Sequence, residues 1–366
     1  MIQPAGIYIH VPFCAQKCPY CDFYSGRYTK TDAERFTEAV CRNLTQLPEQ
    51  LKADTVYFGG GTPSLLPAEA LARMLSAVRA RCVLAADAEI TLEANPLTVT
   101  EQDLAAWLEA GINRLSLGVQ SFQPDVLRML GRRHTPQQAK NAVLRAAAAG
   151  FRNLSIDLMC GLDIQTAACW QADLAEAAAL PVTHISSYLL KIEPQTPFGQ
   201  QPPALADSDD TADRWLQMHD FLTAQGFRHY EISNYAKPGY ESRHNCKYWQ
   251  LVPYYGIGPA AHSCYDGKRY AVPRDLAAFC NAETQPAECT EPNACTESER
   301  IMLGLRLAEG IALADVPASR DLLLHRAKPL IPQYLIYEND RLRMTPEGWL
   351  VSNAVLVRLL DGLNPE

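Results

Sequence analysis

Residues 6–24 read Gly6-Ile7-Tyr8-Ile9-His10-Val11-Pro12-Phe13-Cys14-Ala15-Gln16-Lys17-Cys18-Pro19-Tyr20-Cys21-Asp22-Phe23-Tyr24. Gly6–Val11 is a short apolar run that predicts a buried strand, and a cysteine-bearing loop follows it at once. Cys14, Cys18 and Cys21 have the spacing C-x3-C-x2-C. Three thiolates on one short loop suit a metal or an iron–sulfur cluster. A closed structural site wants a fourth ligand, and none follows closely. A C-x-x-C fragment alone points to zinc, and buried free thiols are the plainest alternative. Pro12 and Pro19 fix φ near the loop and Gly26 ends it, which holds the thiols in register. Phe13, Tyr20 and Phe23 can shield a cluster from water or simply pack.

Working outward, the chain repeats a strand–helix unit. Strands are predicted at Gly6–Val11, Thr55–Phe58, Glu89–Glu93, Arg114–Val119, Asn153–Leu158 and His184–Leu189. Helices fall between them. One is capped by Thr31 or Asp32 and carries Phe36, Val40, Leu44 and Leu47 on one face. Others run from Pro67 to Arg81, from Thr100 to Ala110, near Asp125–Leu130, from Thr135 to Ala149 and over Gln171–Ala179. Gly111 and Gly150 sit where two of them should stop. Such alternation predicts an α/β fold with a parallel sheet and right-handed crossovers. Six units fall short of a closed eight-stranded barrel, so a partial (β/α)6 barrel is expected, with its chemistry at the C-terminal strand ends. Tyr8, His10, the glycines 59–61, Glu93, Gln120 and Asp157 fall near those ends.

The 366 residues are 48% hydrophobic, enough for one large domain and a small one. A net charge of −8 gives no basic footprint for nucleic acid. Met1–Gly6 lacks a charged segment leading into an apolar core, and no apolar run approaches ~20 residues, so neither a signal peptide nor a membrane span is read. A cytosolic protein with reduced thiols is expected, and the nine cysteines beyond the loop read as ordinary thiols.

The cysteine loop behind a strand resembles the signature of the radical S-adenosylmethionine (SAM) superfamily. That resemblance implies a [4Fe–4S] cluster on Cys14, Cys18 and Cys21, with SAM chelating the fourth iron. The turn Gly59-Gly60-Gly61-Thr62-Pro63 is not a P-loop, because no Gly-Lys-Ser/Thr follows. Its freedom of φ and closeness of approach suit a ligand or merely a tight turn. By resemblance, Gly60, Gly61 and Thr62 contact the SAM amine. The ordered run Tyr8–Cys14, Gly59–Pro63, Glu93-Ala94-Asn95-Pro96, Leu117–Phe122, Gly131-Arg132-Arg133-His134 and Ile156-Asp157-Leu158 is similar to the oxygen-independent coproporphyrinogen III oxidase family. This implies that Tyr8 meets the SAM carboxylate, and that Glu93, Gln120, Arg132 and Asp157 meet its amino-acid or ribose parts. Carboxylates and an amide suit hydroxyls or an ammonium group, and arginine suits a carboxylate. Each also has a plain fold-stabilising reading.

Two branches of that family compete, a radical decarboxylase of coproporphyrinogen III and a haem chaperone. The decarboxylase branch has a fourth cysteine where Phe23 stands and a long segment before the cluster, whereas thirteen residues precede Cys14. Residues 244–249 read His244-Asn245-Cys246-Lys247-Tyr248-Trp249, which resembles an H-N-x-x-Y-W motif of the chaperone branch. The chaperone reading is favoured, with SAM cleavage left open. His244 is a candidate axial ligand, with Tyr248 on its helical face and Trp249 nearby, while Cys246 competes as a ligand. The implied partners are haem and acceptor haemoproteins, respiratory ones among them, with peripheral membrane contact and a homodimer left open.

The expected organisation is a barrel over residues 1–195, a core extension over 196–283 and a C-terminal unit over 284–366. Pro194–Asp207 reads as a linker, Asp209–Gln225 as a helix, and the polar stretch Glu283–Thr296 as a boundary. Beyond it, helices at Ser298–Leu307 and Asp321–His325, a hairpin at Leu335–Met344 and a last helix through Leu360 predict a winged-helix-like unit. Its weak basicity favours a lid or docking surface over DNA binding.

Overall fold

Side-chain alternation in the first strand decides the layering. The structure, a computed structural model, describes residues 3–362. Strand β1 (Ala5–Val11) buries Ile7, Ile9 and Val11 in the main apolar core and turns Gly6, Tyr8 and His10 to the opposite face. The unit repeats through α1 (Lys30–Leu44), β2 (Leu51–Gly60), α2 (Ala68–Arg81), β3 (Cys82–Ala94), α3 (Glu101–Ala110) and β4 (Arg114–Gln120). Then come α4 (Pro124–Met129), α5 (Pro136–Ala149), β5 (Asn153–Cys160), α6 (Ala167–Ala179) and β6 (His184–Leu189). Strands β1–β6 lie side by side, all parallel. The helices stop and start where local chemistry dictates. Thr135 and Gln138 form a reciprocal capping box on α5, and Gly150 ends it at φ 117°. The first helix begins earlier than expected, because Thr29 caps it through the Asp32 amide.

The parallel sheet runs beyond the six expected strands. After α7 (Ser208–Ala224), the short strands β7 (Arg228–Glu231) and β8 (Asn234–Ala236) extend it past β6 in antiparallel fashion. Helix α8 (Arg243–Gln250) leads to β9 (Tyr254–Ile257), a seventh parallel strand on the free edge of β1. Antiparallel strands β10 (His262–Tyr265), β11 (Lys268–Ala271) and β12 (Glu288–Glu291) follow. Among the described residues this makes one twelve-stranded sheet in the order β12-β11-β10-β9-β1-β2-β3-β4-β5-β6-β8-β7. The order is linear, so the barrel stays open along one side.

The stretch Pro194–Asp207 holds a short helix, Pro197–Gln200, whose buried Phe198 donates its amide to Pro19 O at 3.0 Å and so braces the cysteine loop. The stretch 283–296 contributes β12 to the sheet rather than a bare connection. The C-terminal unit comprises α9 (Glu297–Gly304), β13 (Ile311–Ala312), α10 (Arg320–Ala327), β14 (Leu335–Glu338), β15 (Arg341–Met344), α11 (Pro346–Leu350) and α12 (Ser352–Leu360). The expected last helix is thus two, broken at Val351. Strands β13, β15 and β14 form a separate three-stranded sheet. This unit is stitched to the barrel's open side by a Glu231–Leu307 bridge and by Trp349, which packs on Trp215 and His229. No helix among the described residues is long and apolar enough to cross a membrane.

Candidate functional site

The cysteine loop leaves the C-terminal end of β1 and folds over the mouth of the barrel. Its thiols are half-buried. Thr62 Oγ1 lies 3.5 Å from Cys14 Sγ, and Arg132 Nη1 lies 3.5 Å from Cys18 Sγ. Burial raises the Cys21 thiol above its usual range, and the charges of Cys14 and Cys18 raise it further. An all-thiol donor set on one loop fits an iron–sulfur cluster.

The glycine turn owes its composition first to that loop. Gly61 N donates to Val11 O at 2.8 Å and Thr62 N to Phe13 O at 2.7 Å, while Gly60 N donates to Glu93 Oε2 at 3.1 Å. Gly60 has φ +107°, and a Cβ there would stand 2.6 Å from the His10 ring. The amides of residues 60–62 are therefore occupied. What the turn can offer a ligand is carbonyl oxygen, which suits an ammonium group.

Glu93, Gln120, Arg132 and Asp157 are all brought to the inner face of the mouth. Glu93 accepts from Tyr57 at 2.8 Å. Burial pushes its carboxyl up to about 7 against the Tyr57 bond, and the Asp157 charge adds to the rise. Burial pushes Asp157 up to about 6, opposed by hydrogen bonds from Ser116 and Ser186. Gln120 has φ +71°, an uncommon conformation for a side chain of that size, and its buried Oε1 has no partner. Arg132 Nη2 donates to Gly118 O at 2.6 Å, and its Nε is also unpartnered. Orphaned donor and acceptor atoms beside two carboxyls, at the open end of a barrel, fit a zwitterionic ligand with hydroxyls. Tyr8 sits deeper. Its hydroxyl meets His10 Nδ1 at 3.0 Å, and His10 Nε2 meets Tyr24 O at 2.9 Å.

His10 stands at the strand end where the sequence places it, whereas Tyr57 and Tyr188 of this interior are not among the residues that the sequence singles out. His10 locks β1 to the cysteine loop. Tyr57 is the register partner of Tyr8 and holds Glu93. Tyr188, at the end of β6, is 42% exposed at the rim. The signal for Tyr57 was available, since alternation on β2 places it on the same face as Thr55 and Gly59.

The H-N-x-x-Y-W motif lies elsewhere. Helix α8 plugs the N-terminal end of the barrel. His244 is 1% exposed, with Nδ1 2.7 Å from Thr55 Oγ1 and Nε2 2.9 Å from the Tyr248 hydroxyl. Burial, then the neighbouring Lys247, lowers its pKa to about 3, so the ring is neutral. Its amide and that of Arg243 both donate to Glu89, and Lys247 pairs with Asp54 at 2.6 Å. The expected shared face of His244 and Tyr248 exists, but it is turned into the barrel. Trp249 is half-buried beside the Arg306 guanidinium, 5.7 Å from its ring centre, and lies away from that face. The structure does not bring the three together as one open surface, because His244 is committed to closing the barrel floor. Cys246, the rival ligand, has its thiol raised to about 12, chiefly by burial.

Comparison with known proteins adds the following. Residues 8–177 match the model of the radical SAM superfamily, and residues 298–351 match the HemN C-terminal domain. The haem chaperone HemW of Escherichia coli is 46% identical over 71% of this chain and 70% of its own length. The haem chaperone HemW of Mycobacterium tuberculosis is 36% identical over 98% of this chain and 95% of its own. Coproporphyrinogen III oxidase (HemN) of Escherichia coli superposes with a TM-score of 0.82 at 21% identity, over 99% of this chain and 91% of that one, which is a likeness of fold.

Proposed function

This chain belongs to the HemW family of haem chaperones within the radical SAM superfamily, and from that premise we propose that it binds haem and hands it to acceptor haemoproteins. The observation that carries the reading is the likeness to a haem chaperone along 98% of the chain, C-terminal unit included. Superfamily membership implies a [4Fe–4S] cluster and SAM. When bound, the cluster supplies a one-electron donor and an iron that the protein leaves unligated.

In this proposal Cys14, Cys18 and Cys21 hold the cluster. The Arg132 guanidinium, beside Cys18, steadies the negative charge gathered there. The carbonyls of the Gly60–Thr62 turn, with Glu93, receive the SAM amine. Gln120 Oε1 and Asp157 take ribose hydroxyls, and Tyr8 positions β1 through His10. Phe23 of the cysteine loop and Tyr188 near the end of β6 are exposed at this end of the barrel.

His244, Tyr248 and Trp249 are the candidate haem residues of this proposal. His244 would bind haem iron only by giving up its bonds to Thr55 and Tyr248. Trp249 offers a ring plane, and Arg306 a cation for a propionate. The test is a haem titration of anaerobically reconstituted protein, followed by the Soret band, beside His244→Ala and Trp249→Ala. Saturable one-to-one binding is expected, with the Soret maximum displaced in His244→Ala and affinity lowered without displacement in Trp249→Ala. Wild-type protein that takes up haem without saturation overturns the chaperone reading. Two variants that match wild type move the haem site off α8. For the cluster, Cys14→Ala should lose the charge-transfer absorbance, and a triple-cysteine variant retaining four irons would overturn the assignment.

A further inference from the structure

Cys264 on β10 and Cys295, in the loop before α9, have their sulfurs 3.7 Å apart. Neither belongs to the cysteine loop or to α8. Cys264 is 2% exposed, whereas Cys295 is half-buried. The surrounding backbone is pinned on both sides of the pair. Cys295 N donates to Glu299 Oε2 at 2.7 Å. Arg269 of β11 holds Glu291 at 2.6 Å and also pairs with Glu299. Cys295 itself has φ +67°, a left-handed conformation that turns the loop back onto the strand. Two thiols in van der Waals contact on so fixed a frame need a side-chain shift of under about 2 Å to reach bonding distance.

We infer that Cys264 and Cys295 are a redox modification site, a dithiol that closes to a disulfide when the thiol pool around it turns oxidising. The co-reactant is a low-molecular-weight disulfide of the glutathione class. The more accessible Cys295 thiolate attacks one sulfur of that disulfide and releases one small thiolate, leaving a mixed disulfide on Cys295. Cys264 then gives up its proton and attacks the Cys295 sulfur, expelling the second small thiolate. Two protein thiols are oxidised to one disulfide, and one small disulfide is reduced to two thiols. In a reducing compartment the pair rests as thiols. Burial, then the neighbouring Cys295, raises the Cys264 thiol, which slows the second of these attacks.

The bond would staple the barrel's antiparallel edge to the start of the C-terminal unit. It would also act near the plug helix. The Tyr254 ring meets Tyr248 edge-on at 4.6 Å, and Tyr254 lies beside both Cys264 and Arg269.

The experiment treats the full-length protein with excess oxidised glutathione, quenches with acid, and maps cysteines by peptide mass spectrometry. A Cys264–Cys295 peptide pair lacking two hydrogens is expected in wild type and should vanish on treatment with dithiothreitol. In Cys264→Ser the Cys295–glutathione adduct should accumulate instead. The melting temperature should rise on oxidation in wild type and not in Cys295→Ser. Exposed Cys289 serves as the internal control for reagent access. Modification of Cys289 with no Cys264–Cys295 pair, at any glutathione ratio, overturns the proposal. That result needs wild-type protein alone, so a variant that fails to fold does not blunt it.

Discussion

His244 Nε2 lies 2.9 Å from the Tyr248 hydroxyl, and both side chains are spent on closing the barrel from below. Replacing His244 by alanine would leave a cavity in this floor and strand two hydroxyls, those of Thr55 and Tyr248. A buried ring of this size and two lost partners together cost about 2–4 kcal/mol. Tyr248→Phe, which removes one hydrogen bond and little volume, should cost ~1 kcal/mol. Urea midpoints of the two variants check the order. Equal midpoints for His244→Ala and wild type would show that the helix is not held by this ring.

Gly60→Ala tests the turn between barrel and cysteine loop. At φ +107° an alanine is strained by ~1–2 kcal/mol before any contact is counted. Its Cβ would also press on the His10 ring, which can yield only by giving up Tyr8 or Tyr24. The expected outcome is a lower melting temperature together with fewer irons retained per chain after reconstitution. A variant with wild-type iron content would uncouple the turn from the loop.

Much of this is legible in the sequence. Strand β6 was read at its observed bounds, and β4 and β5 to within two residues, because β-branched and leucine runs ended by glycine or polar turns mark buried parallel strands. The helix stops at Gly111 and Gly150 were legible for the same local reason, a left-handed residue that glycine adopts freely. The extension on the free edge of β1 was not. Strands β9–β12 are four residues each, and Lys268 and Arg269 on β11 and Glu288 and Glu291 on β12 give those two the composition of a loop. The parallel strand β9 pairs with β1, which lies some 250 residues earlier in the chain, and β10–β12 build on it. Periodicity within a window cannot report a partner so distant. The role of His244 was hidden for a related reason. Its spacing to Tyr248 is local, whereas the face it turns inward is decided by Thr55 on β2 and Glu89 on β3.

Glu93 should give the barrel mouth a signature in pH. Its carboxyl is raised to about 7 in the folded protein, chiefly by burial, against about 4.3 when exposed. The folded state therefore holds a proton that the unfolded chain has released. The resulting stability is fully present below about pH 4 and is lost as pH rises through 7. Glu93→Gln mimics the protonated acid. Its stability relative to wild type should increase by roughly 1.4 kcal/mol per pH unit between about 5 and 7. Urea unfolding at four pH values measures this, and parallel curves would mean that Glu93 is ionised in the fold. If Glu93 also receives the SAM amine, binding should release protons near pH 7, read by calorimetry in buffers of different ionisation enthalpy.

The opposite sign is expected where the C-terminal unit meets the barrel. His229 stacks on Tyr235 with ring centres 4.0 Å apart, meets Trp349 edge-on at 4.5 Å and faces His219 with Nδ1 to Nδ1 at 2.9 Å. One hydrogen fits between those nitrogens, so the two rings cannot both be charged. Burial lowers the His229 pKa to about 3, and the charge of His219 lowers it further. Burial lowers His219 too, although Asp220 and Glu347 pull it back. The unfolded chain takes up these protons near pH 6.5, and the folded chain resists. The stability is therefore present above pH 6.5 and falls as pH drops from there toward 3. Other buried histidines, His134, His184 and His244, share that slope. The contribution of this contact has to be taken by difference. His229→Phe keeps the aromatic packing and deletes one titration, so its slope between about pH 6 and 4.5 should be shallower by ~1.4 kcal/mol per unit. Tryptophan fluorescence, dominated at this contact by Trp215 and Trp349, should follow the acid transition. A His229→Phe slope equal to that of wild type would place the loss elsewhere in the barrel.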